Sequence, residues 1–257
     1  MPLPNLRPGL VSITFRGLPA GEVLREAADA GLGGIEWGGD VHVPHGDVDT
    51  AERVGSMTRD AGLATPTYGS YFRAGGEGPA WAGVQAGAVA LGAPAVRVWA
   101  GGVGSDDADA GQRAAVAAAL RDACDRAADA GLDVALEYHA KTLTDTAAST
   151  LRLLDEVDRP NLWTLWQTTN GASDDHSLEN LRALQERVLH AHVFDWDTGF
   201  STQRPLAEGA DRWGRFLPEL AAPGRERFCL LEFVKGGTVG QFREDAATLK
   251  GWIAATG

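Results

Sequence analysis

The run Phe228-Cys229-Leu230-Leu231-Glu232-Phe233-Val234 is apolar at successive positions and meets its only charged group at Glu232. A strand with no polar face suits a parallel sheet covered on both sides, and a carboxylate at the end of such a strand needs a partner. Behind it come Lys235-Gly236-Gly237-Thr238, then Phe242, Ala246, Leu249 and Ile253, whose i, i+4, i+7, i+11 spacing makes one apolar helical stripe. Working outward from this unit, strand and helix patterns alternate along the chain. The pattern predicts strands at Leu10–Phe15, Gly34–Trp37, Ala64–Tyr68, Ala95–Trp99, Val134–Tyr138, Leu162–Trp166, Leu189–Phe194 and Phe228–Val234.

Helices fill the gaps. The first carries Val23, Leu24, Ala27 and Ala28, with Pro19 at its opening position, and the Ala-rich stretch from Gln112 to Ala130 reads as one helix. Leu178, Leu181 and Leu184 share a side behind Ser177 as the expected cap. Ala30-Gly31, Ala61-Gly62 and Ala130-Gly131 each precede a leucine, and each glycine can take the left-handed turn that ends a helix. Strand–helix units spaced through 257 residues predict an α/β fold, a single (β/α)8 TIM barrel, as one domain over residues 1–257. A doubly wound open sheet would alternate similarly, but Arg16-Gly17-Leu18-Pro19 stands where its glycine-rich phosphate loop would follow the first strand.

Composition narrows the partners. With 23 basic against 35 acidic residues the formal charge is −12, which disfavours nucleic acid and anionic membranes and suits a small-molecule substrate. No apolar run approaches the roughly 18 residues of a membrane span, and Met1 to Pro8 lacks the apolar core of a signal peptide. Cys124 and Cys229 have no metal-type spacing and read as buried free thiols in a reducing compartment, so a cytoplasmic protein is expected. Oligomeric state stays open, a homo-oligomer included.

In a barrel, reactive groups gather at the carboxyl ends of the strands. Strand five ends Leu136-Glu137-Tyr138-His139, strand six Leu165-Trp166-Gln167 with Asn170 beyond, strand seven runs His190 to Trp196, and strand eight ends at Glu232. Two carboxylates, an imidazole and an amide oxygen converging there would make an oxygen-rich site for a divalent cation, which would in turn neutralise Glu137 and Glu232. Alternatively each is a separately satisfied buried group, paired for example with Arg97 or Arg16. His42 and His45, spaced i, i+3 after strand two, could orient substrate, complete a second metal site or lie solvated. Tyr68 and Trp99 are candidate aromatic walls, as are Tyr71, Trp37 and Trp166, and Lys141 could hold a hydroxyl or phosphate. Glu36 could pair with Arg16 or touch ligand. For Arg97, buried within strand four, an ion pair is expected.

Two stretches carry a family resemblance. Gly34-Ile35-Glu36-Trp37-Gly38-Gly39-Asp40-Val41-His42-Val43-Pro44, and Leu136-Glu137-Tyr138-His139 with Thr142-Leu143-Thr144-Asp145-Thr146 behind it, resemble the sugar phosphate isomerase/epimerase family of xylose-isomerase-like TIM barrels, related to endonuclease IV. That resemblance implies a divalent metal (Mn2+, Mg2+ or Zn2+) held by Glu137, Gln167, His192 and Glu232, and a small carbohydrate substrate. His192 is favoured over His190 because the family's His-x-x-Asp pattern then falls on His192 and Asp195. Beside that ligand set, the candidate substrate contacts are His42, His45, Tyr68, Trp99, His139, Lys141 and Asp195. Gln167 departs from the aspartate of the wider family, and Asn170 stands where related nucleases have histidine, which argues against a trinuclear zinc nuclease. The implied reaction is proton transfer at a carbon next to a carbonyl by a sugar isomerase or epimerase, with Glu137 and Glu232 as acid and base. A metal-dependent lyase or dehydratase on a sugar or polyol, and a non-catalytic sugar-binding barrel, are the alternatives.

Overall fold

In a computed structural model, which describes residues 5–169, 171–197, 199, 201–221 and 225–256, strands and helices alternate from end to end. The strands are β1 (Leu6–Val11), β2 (Gly34–Gly38), β3 (Tyr68–Arg73), β4 (Ala95–Trp99), β5 (Asp133–Glu137), β6 (Leu162–Trp166), β7 (Val188–Val193) and β8 (Arg227–Leu231). The helices are α1 (Ala20–Asp29), α2 (Val48–Asp60), α3 (Trp81–Leu91), α4 (Ala110–Asp129), α5 (Ala147–Val157), α6 (Asp174–Leu184), α7 (Ala210–Leu220) and α8 (Val239–Thr256). All eight strands pair in parallel in chain order, and β8 closes on β1 with Leu231 opposite Leu10, so the sheet is a (β/α)8 TIM barrel.

Local chemistry explains the element ends. Asp109 and Gln112 form a reciprocal capping box at the start of α4, and Thr146 and Ser173 cap α5 and α6 through their hydroxyls. The α6 cap is therefore Ser173, and Ser177 lies inside the helix. Gly31, Gly62 and Gly131 all sit at positive φ, between 68° and 74°, directly after helices α1, α2 and α4. Phe242, Ala246, Leu249 and Ile253 of α8 are all buried against the barrel.

β1 and β3 depart most from the sequence expectation, and β8 stops at Leu231, three residues short of the expected Val234, while the other strands shift by a residue at most. β1 ends at Val11, and Ser12–Phe15 is a 3-10 turn. There Ser12 Oγ accepts from the Gly38 N–H at 2.8 Å and Thr14 Oγ1 from the Phe233 N–H at 2.9 Å, so side chains supply bonds that a longer ladder would have made. β3 starts only at Tyr68, because Pro66 has no N–H to give the sheet; Ala64 keeps a single bridge to Gly34.

The main apolar core lies between the barrel and its helices. Inside the barrel, Ala95, Ala135, Leu165 and Leu189 form a small separate cluster. Two residues above Ala95 on the same face of β4 stands Arg97, so the upper interior is charged. Cys124 on α4 and Cys229 on β8 are buried free thiols, and burial pushes both up to about 12.

His190 of β7 is also internal. Its Nδ1 accepts from the Phe228 N–H at 3.1 Å, and burial pushes the imidazole down to about 4. The folded chain thus binds that proton more weakly than the unfolded chain, whose histidine titrates near ~6.5. Stability supplied by neutral His190 is full above that value and lost as pH falls toward 4, by about 3 kcal/mol. Urea denaturation at pH 7 and pH 4.5 should show the loss, and His190→Gln should remove most of that slope. An unaltered slope in the variant would place the acid sensitivity elsewhere.

Candidate active site

At the carboxyl ends of the strands lies a cavity of about 280 Å³, walled by Ile13, Arg16, Tyr71, Trp99, His139, Phe194, Trp196 and Phe233, with Arg97, Glu137, Gln167 and Glu232 below. Glu137 ends β5, Gln167 and Glu232 follow the last residues of β6 and β8, and His192 lies within β7. His192 Nδ1 is the meeting point: Gln167 Oε1 and Glu232 Oε2 approach it to 3.1 Å and Glu137 Oε1 to 3.9 Å. Ligand atoms of Glu137, His192 and Glu232 all fall within 4.8 Å of one another, and all three residues are buried.

A second layer of charge holds this cluster. Arg97 Nε donates to Glu36 Oε1 at 2.7 Å, while its Nη1 donates to Glu137 Oε2, which also accepts from the Trp99 indole N–H. Glu36 Oε2 takes the Thr67 hydroxyl at 2.5 Å and faces His192 Nε2 at 3.6 Å. Gly69 makes room for this pair, since a Cβ there would lie 2.8 Å from Glu36 Oε1 and 2.9 Å from Arg97 Nη2. Glu36 therefore pairs with Arg97, and Arg16 turns outward to Asp40 and Tyr71.

The titration behaviour follows from this geometry. Burial pushes the Glu36 and Glu137 carboxyls up, but the Arg97 charge, and then that of His192, outweighs it and leaves both below the usual carboxylate range. Burial pushes His192 down, yet the charges of Glu232 and Glu36 carry it up to about 10. Three carboxylates balanced by one guanidinium leave a net deficit of two positive charges, and neutral His192 with a divalent cation would close it. Three acceptor oxygens converge on Nδ1, which carries at most one proton to share among them, so a cation suits the group better than a hydrogen-bond network. Glu137, Gln167, His192 and Glu232 are thus a fitting ligand set, with Glu36 behind His192 as the outer carboxylate.

His139 is stacked on Trp99, with ring centroids 5.4 Å apart and planes 20° apart. Its Nδ1 donates to the Ala140 carbonyl at 2.7 Å; a carbonyl only accepts, so in the neutral ring the proton sits on Nδ1 and the lone pair on Nε2. Thr142 and Thr144 fix this corner: their hydroxyls donate to the carbonyls of His139 at 2.7 Å and Glu137 at 2.6 Å. The Arg73 guanidinium lies 4.2 Å from the Trp99 ring and helps hold it.

Several expected substrate contacts lie elsewhere. His42 is buried away from the cavity wall, its Nε2 donating to Leu18 O at 3.0 Å and its Nδ1 accepting from Ser12 at 2.9 Å. The Tyr68 hydroxyl donates to Val43 O at 2.7 Å inside the core. His45 Nε2 faces the Tyr71 N–H at 3.4 Å, behind the wall, and Lys141 is an exposed loop residue at φ 61°. Asp195 is paired with Arg204 and Arg212 at 2.8 and 2.9 Å, anchoring the loop after β7. Trp37 and Trp166 are fully buried packing residues. Asn170 lies outside the described residues. In exchange, Ile13, Phe194, Trp196 and Phe233 join the wall. Their places just past β1, β7 and β8 were the available signal. Phe233 holds positive φ, 58°, costing about 1–3 kcal/mol in a non-glycine residue, directly after Glu232.

Comparison with known proteins agrees with this architecture. The chain is 30% identical over 145 residues to 3-dehydroshikimate dehydratase of Bacillus anthracis, a match covering 49% of this chain and 51% of that protein. The chain thus spans about half the length of the curated relative it matches. Among solved structures, the probable 3-DHS dehydratase AsbF involved in petrobactin synthesis from Bacillus anthracis is similar, with TM-score 0.79, 22% identity and coverage of 95% of this chain and 98% of that one. L-ribulose 3-epimerase gives 0.74 at 17% identity, covering 98% and 95%. A xylose isomerase-like TIM barrel protein from Mycobacterium smegmatis in complex with magnesium gives 0.72 at 17% identity, covering 100% and 99%. At these identities the structural likeness is one of fold. The sequence pattern of the xylose isomerase-like TIM barrel runs through residues 24–252, and the chain belongs to that family.

Proposed function

We propose that this protein is a divalent-metal-dependent lyase that removes water from a small β-hydroxy carbonyl compound, by way of proton abstraction next to the carbonyl. When bound, the cation supplies a Lewis acid that polarises the substrate carbonyl. Glu137, Gln167, His192 and Glu232 hold it, with Arg97 and Trp99 fixing Glu137 from outside. His139 Nε2, which carries the lone pair of the neutral tautomer fixed by the Nδ1–H bond to Ala140, takes the α-proton. The released electron pair forms the carbon–carbon double bond and expels the β-hydroxyl, which leaves as water with the proton that His139 returns.

One observation carries the choice of elimination over epimerisation. Inversion by two facing acids needs Glu137 to gain and lose a proton, but Arg97 and Trp99 both donate to its Oε2 and favour the ionised form. Such a carboxylate serves as a ligand, and His139 remains as the base. The dehydratase among the relatives supports the same reading.

Metal-loaded protein incubated with 3-dehydroshikimate, and separately with a panel of ketoses, should yield a product lighter by one water. His139→Asn should lower turnover on the order of 10²–10⁴-fold with metal binding retained. A product of the same mass as its substrate would replace this reading with the isomerase one.

A further inference from the structure

The end of the barrel opposite the reacting centre holds a second, larger cavity. It measures about 530 Å³ and lies among the amino ends of the strands, with Arg7 of β1, Arg59 at the end of α2 and Arg225 just before β8 on its wall. In a barrel this face ordinarily serves stability, and a face built only for that would pair its charges. Here the pairing is incomplete. Arg7 Nη2 donates to the Gly33 carbonyl at 3.2 Å, and its Nη1 lies 3.4 Å from the Glu226 carboxylate, whose side chain is 60% exposed. The Arg225 guanidinium sits 3.8 Å from the centre of the Trp163 ring, and that of Arg7 4.8 Å from the centre of the Phe228 ring. A guanidinium over a ring gives the ring its face and keeps its edge N–H donors for other partners. Among the described residues, neither Arg59 nor Arg225 has a hydrogen bond or an ion pair, and Arg225 acts on Asp133 from beyond ion-pair distance.

The acids on this wall are Asp133 and Glu226, and His190 beside them is neutral at pH 7. Three guanidinium groups against two carboxylates leave a positive surplus, on a chain whose net charge is −12. The remaining surface is apolar, with Pro66, Leu91, Leu189 and Phe228. The volume falls within the ~300–1,000 Å³ of small-molecule sites. Guanidinium edges match phosphate oxygens in pairs, and a phosphate monoester carries about 1.5 to 2 negative charges at pH 7, against one for a carboxylate. Forks from three separate elements suit the three terminal oxygens of such a group. We infer that this cavity is a second binding site, which takes a phosphate monoester: Arg7, Arg59 and Arg225 receive the phosphate, and the apolar surface receives a small organic body.

Phenyl phosphate, inorganic phosphate and phenol, each titrated calorimetrically into the protein, separate the parts of this assignment. Phenyl phosphate should bind about 10- to 100-fold more tightly than phenol, as charge-assisted contacts give. Arg59→Gln and Arg225→Gln should each weaken phenyl phosphate about 10-fold or more, and Arg225→Lys, which keeps the charge but loses the fork, should weaken it less. Arg16→Gln and His192→Ala, at the other end of the barrel, should change it by less than about 2-fold. No preference for phenyl phosphate over phenol overturns the assignment, and so does an affinity unchanged in both Arg59→Gln and Arg225→Gln. A loss confined to Arg16→Gln or His192→Ala puts the phosphate in the reaction cavity and overturns it as well. Inorganic phosphate binding as tightly as phenyl phosphate keeps the anion site and overturns the organic body.

Discussion

Arg97→Met is expected to cost about 3–5 kcal/mol of folding stability, the usual effect of removing one partner from a buried charge cluster. The side chains of Arg97, Glu36 and Glu137 are 2%, 0% and 4% exposed, so water cannot replace the lost guanidinium. Two carboxylates would be left facing each other across the barrel with only His192 between them. Arg97→Lys should recover part of the loss, because an ammonium carries the charge but cannot span Glu36 and Glu137 with a planar fork. Guanidinium denaturation at pH 7 measures both variants. A loss under about 1 kcal/mol for Arg97→Met would mean that the interior relaxes or hydrates, and the charge layer would not be what organises the site.

The second large effect concerns the metal. Mn2+ at about 100 times its Kd should stabilise the folded chain by about 2.7 kcal/mol, because the unfolded chain has no assembled site. For a chain of this size that corresponds to a rise in Tm of roughly 5–10 °C, and a chelator should reverse it. In His192→Ala the rise should vanish, since the nitrogen on which the three oxygens converge is gone. Glu232→Gln keeps the shape but removes a charge and should retain only a fraction. An undiminished rise in His192→Ala would place the ion elsewhere.

Much of this was legible in the sequence, for identifiable reasons. Helix caps and apolar stripes are local, so the α8 stripe and the turns at Gly31, Gly62 and Gly131 read directly. Glu137, Gln167 and Glu232 stand out because apolar strands end in polar groups, a signal that needs no knowledge of distant contacts, and the structure brings them to one cavity. One failure was local, the α6 cap read at Ser177 in place of Ser173; most of the others were long-range. Nothing near Ser12 or Thr14 announces that their hydroxyls serve the backbones of Gly38 and Phe233, which is why β1 stops early. Pro66 was a local warning, and it outweighed the β-branched residues around it. His42 and Tyr68 have the composition of binding residues, but Leu18 and Val43 take their polar atoms. Arg97 was foreseen as an ion-paired core residue; that its fork spans Glu36 and Glu137 depends on β2, β4 and β5 lying side by side around a narrow interior, with Gly69 giving way.

The two internal cysteines give this barrel a built-in clock. Alkylating reagents attack the thiolate, and both thiols are sealed from solvent and held in the protonated form. Each alkylation event at Cys124 or Cys229 therefore counts an opening of α4 or of the β8 stave, and modifying the two at different speeds would date the loosening of the wall separately from that of the helical shell.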